Sequence, residues 1–352
     1  MNIYTMEATK NNRLYNLDYL RGMAAFGIMI YHYLSWTLGK FSADTFMGRV
    51  GIYGVSIFYV LSGLTLYHVY YDKMKPSSQD VIAFFKKRIF RIFPLLWLVT
   101  IFSILLSQKT PDFSDLFLNL TGLFGFLKWD TYFSAGIWSI GNELVFYVFF
   151  PFFILFAKSY RPLFILLSVA LLSIYIYFAF VQLYKEDAWR NYVNPLNQVF
   201  LFLGGFLIGL FFNKTKISNQ TAIGAFIVGF SLFVFVPAYG EQIVLKTGFN
   251  RLIFSFCCFL ICFCFYKLSM KFPNYIHKPM TLLGETSYSI YLLHPIIFEL
   301  VGQLRNHTFN FPESVRLISS ICLTLIVAYF TYEYFEKYFM KFGSRSKAFE
   351  NK

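Results

Sequence analysis

Long apolar runs are the feature that most constrains what this 352-residue chain can fold into. Each run can cross about 30 Å of hydrocarbon as a helix that rises 1.5 Å per residue. Helices are favoured because a membrane barrel would instead show short strands of alternating polarity. The sequence therefore predicts an all-α, polytopic membrane helical bundle of about 10 transmembrane helices. The expected spans are roughly 17–38, 51–71, 89–107, 135–157, 162–181, 196–213, 220–238, 251–268, 280–302 and 314–336.

Composition supports this class. The apolar fraction is 57% and the charged fraction is 14%, whereas soluble domains average about 45–50% and about 25%. These values exclude a soluble protein, a disordered chain and a disulfide scaffold. The run 113–127 is also apolar, but polar residues interrupt it, which predicts an interfacial or re-entrant segment. We expect residues 1–352 to form a single integral-membrane domain with no fused soluble domain.

The formal net charge of +13 predicts orientation rather than nucleic-acid binding, because the basic residues are spread among the apolar runs. If the N-terminus is cytoplasmic, 20 Lys and Arg side chains lie on the cytoplasmic side and 10 on the opposite side. Cytoplasmic loops of membrane proteins carry such an excess of positive charge. Both termini are therefore predicted to be cytoplasmic.

Four of the five cysteines lie in one apolar run, at Cys257, Cys258, Cys262 and Cys264. Their spacing does not match a zinc site, and no histidine or acidic residue lies near them in the sequence. We expect them to pack as small buried hydrophobic side chains, and we expect no metal.

Ionisable residues inside the spans are costly in hydrocarbon and mark candidate functional positions. Arg21 and His32 are eleven residues apart, which places them on one face of the first helix. Asp18 lies three residues before Arg21 and can pair with it. His32 suits general acid–base catalysis because the ordinary pKa of histidine is about 6.5. The alternative is a structural histidine bonded to a neighbouring helix.

Two further polar sets recur at helical spacing. They are Ser139, Glu143 and Tyr147, just after Trp138, and Ser287, Tyr291 and His294. The helix rise places His32, His294 and Glu143 about 22, 21 and 18 Å above the cytoplasmic edge, so we expect one layer of ionisable groups. The alternatives are a buried ion pair at Glu143 and a packing role for His294.

A basic cluster lies at the cytoplasmic start of the third span. Arg88 and Arg91 share a helix face, and Lys87 adjoins them. Paired guanidinium groups can bind phosphates in a bidentate manner. The alternative is ordinary anchoring of cytoplasmic basic residues at the membrane surface.

Taken in order, these sets resemble the acyltransferase-3 family of integral-membrane, acyl-CoA-dependent O-acyltransferases. The motifs that carry the resemblance are Leu17–Ala25 with His32, residues 54–63, Arg88 and Arg91 before Pro94, residues 138–147, residues 287–294, and Glu336. The likeness covers nearly the whole chain. Ser56 stands where many relatives carry Asp, and Leu144 where many carry a second Glu, so we do not expect a two-carboxylate mechanism.

The resemblance implies transfer of an acyl group, most commonly acetyl, from cytoplasmic acyl-CoA to a sugar hydroxyl. The implied acceptors are surface glycans, lipid-linked or free, such as lipopolysaccharide O-antigen, capsule or exopolysaccharide. The resemblance further implies that His32 is catalytic with support from Arg21, and that Arg88 and Arg91 hold the CoA phosphates. It implies a bacterial cytoplasmic (inner) membrane, with membrane lipids, a second copy of the chain or glycan-assembly proteins as partners.

We therefore expect His32 to act as general base on the acceptor hydroxyl or to carry the acyl group transiently. Asp18 or Glu143 would orient a histidine such as His294 or hold its charge. The expected supporting residues are Ser139, Tyr147, Ser287, Tyr291 and Trp138. A secondary transporter remains the main alternative because it also uses intramembrane ionisable groups. A non-catalytic scaffold or lipid-binding subunit is the second alternative.

Overall fold

The structure is a computed structural model that describes residues 14–185, 187–269, 272–306 and 310–344. These residues form helices and connecting segments and contain no strand, which confirms the predicted all-α class. The helices are α1 (Tyr15–Leu38), α2 (Phe46–Tyr70), α3 (Ser78–Ser107), α4 (Phe113–Thr121), α5 (Phe124–Leu127), α6 (Ile137–Ser159), α7 (Arg161–Phe180), α8 (Ala188–Tyr192), α9 (Pro195–Phe212), α10 (Asn219–Phe235), α11 (Ile243–Lys246), α12 (Gly248–Lys267), α13 (Asn274–Glu285), α14 (Ser287–Leu304), α15 (Glu313–Phe330) and α16 (Lys337–Ser344). A 3-10 turn (Gln182–Tyr184) follows α7, and a π-helical turn (Thr331–Glu336) joins α15 to α16.

Several helix starts follow directly from the local sequence. In each case a side chain just before the helix accepts a hydrogen bond from a backbone N–H of the first turn, which that turn cannot satisfy internally. The capping residues are Thr45, Ser77, Asp112, Asn194 and Ser218. The Asp112 cap begins α4, so the predicted interfacial segment 113–127 consists of two short helices, α4 and α5.

Seven helical segments in the described part of the chain are long and apolar enough to cross a membrane. They are α2, α3, α6, α7 with its 3-10 turn, α8 with α9, α12, and α15 through α16. Seven such segments indicate an integral membrane protein. Their outward surfaces support this, because α7 exposes apolar side chains such as Ile165 and Leu166 that are stable against lipid.

Three of the ten predicted spans fall outside this set. α10 has 17 residues, and α1 and α14 carry ionisable side chains that include His32 and His294. α1 nevertheless packs against α2, α13 and α14. The two helices that carry His32 and His294 therefore lie against other helices of the bundle. The count of ten spans and the cytoplasmic orientation of the termini remain predictions.

The predicted span 280–302 is not one helix. α13 ends at Glu285 and α14 begins at Ser287, with Thr286 between them. α13 packs against the first turns of α1, where a Cβ on Gly284 would lie only 2.3 Å from the backbone oxygen of Asp18. The break therefore allows α13 to lie against α1 while α14 continues into the bundle.

Candidate active site

Two histidines that are far apart in the sequence form a direct pair. His32 on α1 and His294 on α14 approach within 2.8 Å, from Nδ1 of the first ring to Nε2 of the second. Trp36, one turn after His32, stacks on the His32 ring with centroids 5.1 Å apart. Tyr33 donates a hydrogen bond of 2.9 Å to the carbonyl of His294 and so ties α1 to α14 at this level.

The hydrogen bonds of this pair define its neutral tautomers. Nδ1 of His294 lies 3.2 Å from the carbonyl of Ile290, and a carbonyl only accepts, so Nδ1 carries the proton. Nε2 of His294 is then an acceptor, and Nδ1 of His32 donates to it. This leaves Nε2 of His32 with a lone pair to which none of the described residues donates. The side chain of His32 lines a cavity of about 230 Å³, the histidine cavity, together with Gly136, Trp138 and Trp189.

A second cavity, the arginine cavity, has a volume of about 110 Å³. Its lining combines three cations and one carboxylate with hydroxyl groups, and His32 does not line it. The cations are Arg21, Arg88 and Arg91, the carboxylate is Glu143, and the hydroxyl groups include those of Ser62, Ser139, Tyr147, Ser287 and Tyr291. The sequence sets that were predicted to carry function therefore converge, but on two cavities rather than one.

Arg21 and Arg88 are held in different ways. Arg21 pairs with Asp18 at 3.0 Å and donates to the Thr65 hydroxyl at 3.0 Å. The guanidinium of Arg88 lies within 6 Å of the rings of Tyr70, Phe84 and Tyr147. Its buried Nε has no hydrogen-bond partner among the described residues. Because such an orphaned buried donor is costly, the cavity is suited to an anionic or carbonyl group that accepts from Arg88.

The expected bond from a carboxylate to a histidine is not present at Glu143 among the described residues. Asp18 pairs with Arg21, and Glu143 accepts a hydrogen bond of 2.6 Å from Tyr147. Glu143 also lines a different cavity from His32. Gly136, at the start of α6, lines the histidine cavity, so Glu143 lies about 10 Å further along that helix. Glu143 instead balances part of the charge of the three arginines.

A hydrogen-bonded layer separates the two cavities. The hydroxyls of Ser139 and Tyr291 lie 2.8 Å apart, and the carbonyl oxygen of Gly136 lies 2.9 Å from the first and 3.3 Å from the second. Each hydroxyl has one proton, so one of them donates to the other, which in turn donates to the carbonyl. Ser139 and Tyr291 line the arginine cavity, whereas Gly136 lines the histidine cavity. We call these three residues the Tyr291 layer.

The arginine cavity continues toward the end of the bundle where α1 begins. A cavity of about 300 Å³, the mouth cavity, shares Arg21, Thr65 and Arg91 with it. Glu336, in the π-helical turn, lines the mouth cavity and accepts a hydrogen bond from Ser289. π-helical turns recur at functional sites.

Some predicted site residues lie outside these cavities, and some lining residues were not predicted. Lys87 does not line any of the three cavities, and its backbone lies against Gly343 of α16. Ser62 and Thr65, which line the arginine cavity, and Trp36, which stacks on His32, were not among the predicted site residues. Trp36 had a signal, since it lies one turn after His32 on the same helix face. Ser62 lies within the 54–63 motif, whereas Thr65 falls in an apolar run without a signal.

The chain matches the sequence model of an acyltransferase domain over residues 14–333. It belongs to this acyltransferase family. The match includes α1 to α15, and with them both histidines and all three cavity arginines. The family that the motifs resemble is thereby confirmed.

Curated relatives of the chain are acetyltransferases. The O-acetyltransferase OatA of Staphylococcus aureus is 26% identical over 95% of this chain and 58% of its own length. The peptidoglycan O-acetyltransferase OatA of Listeria monocytogenes is 25% identical over 95% of this chain and 57% of its own length. The putative acetyltransferase ORF330 of Acidianus two-tailed virus is 27% identical, with 80% and 83% covered. The chain thus spans little more than half the length of the two OatA proteins, and no solved structure matches it.

Proposed function

We propose that this protein is a membrane O-acyltransferase that moves an acetyl group from acetyl-CoA to a hydroxyl of a surface-glycan sugar. One observation carries the proposal. A cavity with three guanidinium groups is separated by a single hydrogen-bonded layer from a histidine whose Nε2 has a free lone pair. The family and the acetyltransferase relatives support the reaction class.

The arginine cavity and the mouth cavity are the proposed donor site. Arg21 and Arg91 line both cavities, and Arg88 offers a buried Nε that has no partner in the described part of the chain. Guanidinium groups bind phosphates strongly because their planar donors match the oxygen geometry. Acyl-CoA supplies the thioester and the phosphates. These arginines hold its charged part while the narrow cavity admits the extended thiol arm.

His32 is the proposed general base. Its Nε2 removes the proton of the acceptor hydroxyl, and the oxygen attacks the thioester carbonyl carbon. The carbon–sulfur bond breaks, and the CoA thiolate leaves and takes up that proton. His294 positions His32 by accepting the Nδ1 proton, which fixes the reactive tautomer. The hydroxyls of Tyr291 and Ser139 lie on the path between the cavities, where they can donate to the developing oxyanion.

The membrane arrangement belongs to the same proposal. With ten spans and cytoplasmic termini, the start of α1 and the mouth cavity face the cytoplasm, where acyl-CoA is made. The end of α1 and the histidine cavity then face the opposite side, where a surface glycan is reached. A bacterial cytoplasmic membrane fits this arrangement.

The deciding experiment uses the full chain reconstituted in lipid vesicles. Acetyl-CoA with an isotopically labelled acetyl group is added on one side, and glycan fragments on the other. The fragments include peptidoglycan, O-antigen and capsule pieces. We expect labelled acetyl esters on one glycan class, detected by mass spectrometry.

A counterflow assay on the same vesicles separates the enzyme from a transporter. Uptake of labelled glycan fragments or acetate without acetyl ester formation would overturn the proposal. Chain that is inserted and folded but neither forms esters nor binds acetyl-CoA would also overturn it, in favour of a scaffold.

A further inference from the structure

A large cleft opens at the end of the bundle opposite the mouth cavity. It lies where α1, α3 and α14 end and α15 begins, and its volume is about 630 Å³. We call it the outer cleft. Its polar and aromatic lining residues include Trp36, Ser103, Ser107, Lys109, Glu299 and Arg316.

The chemistry of the outer cleft is that of a water-filled site. Two basic groups, one carboxylate and several hydroxyls line it. Charged side chains are costly against hydrocarbon and face water or a polar ligand instead. Arg316 is fixed in place, since it packs 4.0 Å from the Phe298 ring centroid and pairs with Glu313 at 3.0 Å. Glu299 accepts a hydrogen bond of 3.1 Å from Gln303.

The outer cleft adjoins the histidine cavity. Residues 133–135 line both spaces. Trp36 lines the outer cleft and leaves 42% of its surface exposed, while its ring stacks on His32 at an interplanar angle of 17°. A ring that packs on the exposed part of Trp36 would therefore be one side chain away from the proposed general base.

We propose that the outer cleft is the saccharide-binding subsite, which holds a short stretch of the glycan acceptor with one sugar ring on Trp36. This inference rests on the proposed acyltransferase function and names where and how the acceptor binds. Pockets of 300–1,000 Å³ hold drug-sized ligands, and a saccharide of about two or three units has that size.

The lining favours a saccharide over other ligands. The C–H face of a pyranose ring packs on an indole ring, and its hydroxyls both donate and accept hydrogen bonds. Lys109 and Arg316 supply donors, and Glu299 supplies an acceptor. A second CoA molecule is less favoured here than in the arginine cavity, because Glu299 offsets one of the two basic groups and Arg316 already pairs with Glu313. A lipid chain is disfavoured by the charges.

The test blocks the outer cleft chemically. Ser103→Cys is made in a Cys322→Ser background, since Cys322 is exposed and the other four cysteines are buried. The protein is treated from the water phase with methanethiosulfonate reagents that add either a methyl-sized or a benzyl-sized group. Ser114→Cys, on the exposed start of α4, is the matched control.

We expect the bulky adduct at position 103 to lower acetyl transfer to the saccharide at least tenfold. Hydrolysis of acetyl-CoA in the absence of saccharide should change less than twofold, because the arginine cavity is untouched. Labelling of the Ser114→Cys control should leave both rates unchanged. Two results would overturn the subsite: no labelling at position 103, or full transfer with the bulky adduct in place.

A charge-neutral change gives a second measurement. Glu299→Gln removes the carboxylate but keeps its size, so we expect the KM for the saccharide to rise three- to tenfold while the KM for acetyl-CoA is unchanged. An unchanged saccharide KM would contradict the subsite. If the unmodified protein transfers acetyl to no saccharide at all, the proposed function fails instead, so the two failures are distinct.

Discussion

The arginine cavity and the histidine cavity lie on the two sides of the Tyr291 layer, and their chemistry differs sharply. The first holds three guanidiniums and one carboxylate. The second holds His32 among aromatic side chains and carries none of those charges. Fixed positive charge is suited to binding an anion, whereas a neutral histidine is suited to moving a proton.

This division separates binding from chemistry in space. A single site would couple the affinity for the donor to the rate of proton transfer, because the arginines would disfavour protonation of a nearby histidine. With the Tyr291 layer between them, each cavity can be changed with little effect on the other. Substitutions made in one cavity at a time test that independence.

The largest effect is expected at His32. His32→Ala removes the proposed general base, so kcat should fall by about 10² to 10⁴. His32 does not line the arginine cavity, so the Kd for acetyl-CoA should stay within about twofold of the unmodified value. The value of kcat is measured by mass spectrometry of the acetylated product, and the Kd for acetyl-CoA is measured by calorimetry.

His277→Gln is the matched control. His277 lies on α13 and bonds to Tyr19 at 2.6 Å, away from both cavities, so its replacement should leave turnover nearly unchanged. A folded His32→Ala protein that transfers acetyl at the normal rate would remove His32 from the mechanism.

A substitution in the arginine cavity should affect binding of acetyl-CoA rather than turnover. Arg91→Met removes one cation that lines both the arginine cavity and the mouth cavity. A charged hydrogen bond contributes about 1.5–3 kcal/mol, so the KM for acetyl-CoA should rise about ten- to hundredfold. We expect kcat to change much less, as measured by steady-state kinetics.

Lys86→Met makes the same charge change on the same helix, but Lys86 does not line either cavity. It should leave the KM for acetyl-CoA within about twofold. If Arg91→Met and Lys86→Met behave alike, the arginines act as surface anchors and the cavities do not divide binding from chemistry.

An intermediate effect is expected at His294, which acts through His32. His294→Phe leaves the Nδ1 proton of His32 without an acceptor, and such a loss costs about 1–3 kcal/mol, so kcat should fall about tenfold or more. His294→Gln keeps an acceptor and should retain most of the activity. The pH dependence of kcat should differ between the two variants, whereas equal losses with unchanged pH profiles would indicate packing alone.

The sequence predicted those features that depend on one helix. The i, i+3 pairing of Asp18 with Arg21 and the i, i+4 contact of Tyr147 with Glu143 are both present. The depths calculated from helix rise also predicted that His32 and His294 lie at the same height, although they could not show that the two rings are in contact. The all-α class followed from the apolar runs.

Features that depend on how helices pack were not predicted. The position of Glu143 in the arginine cavity was not predicted. A depth calculated from helix rise assumes upright helices with known ends, and the sequence specifies neither the tilt of a helix nor its exact ends. The break at Thr286 falls inside the predicted span 280–302, in the short polar stretch 284–287, and it lies beside the close approach of Gly284 to α1. The Tyr291 layer joins α6 to α14, and no local pattern specifies such a contact.

The smallest effect is expected in the layer itself. Gly136 has φ +92°, and a Cβ there would lie 3.1 Å from the Tyr291 ring. Gly136→Ala should therefore displace Tyr291 and weaken its hydrogen bond to Ser139, which is worth about 0.5–1.5 kcal/mol. The state in which this hydrogen bond is broken and the two cavities connect becomes about two- to tenfold more populated. Hydrolysis of acetyl-CoA in the absence of acceptor should therefore rise by the same factor.

Gly240→Ala separates this effect from backbone strain. Gly240 has φ +97°, but nothing lies within 4 Å of a Cβ built there. Both substitutions incur about 1–2 kcal/mol of left-handed strain, so both should lower the temperature of thermal unfolding, with a larger shift for Gly136→Ala because Tyr291 is also displaced. Only Gly136→Ala should raise the ratio of hydrolysis to transfer. Equal ratios in the two variants would mean that the Tyr291 layer does not separate the cavities, because strain alone would then account for both results.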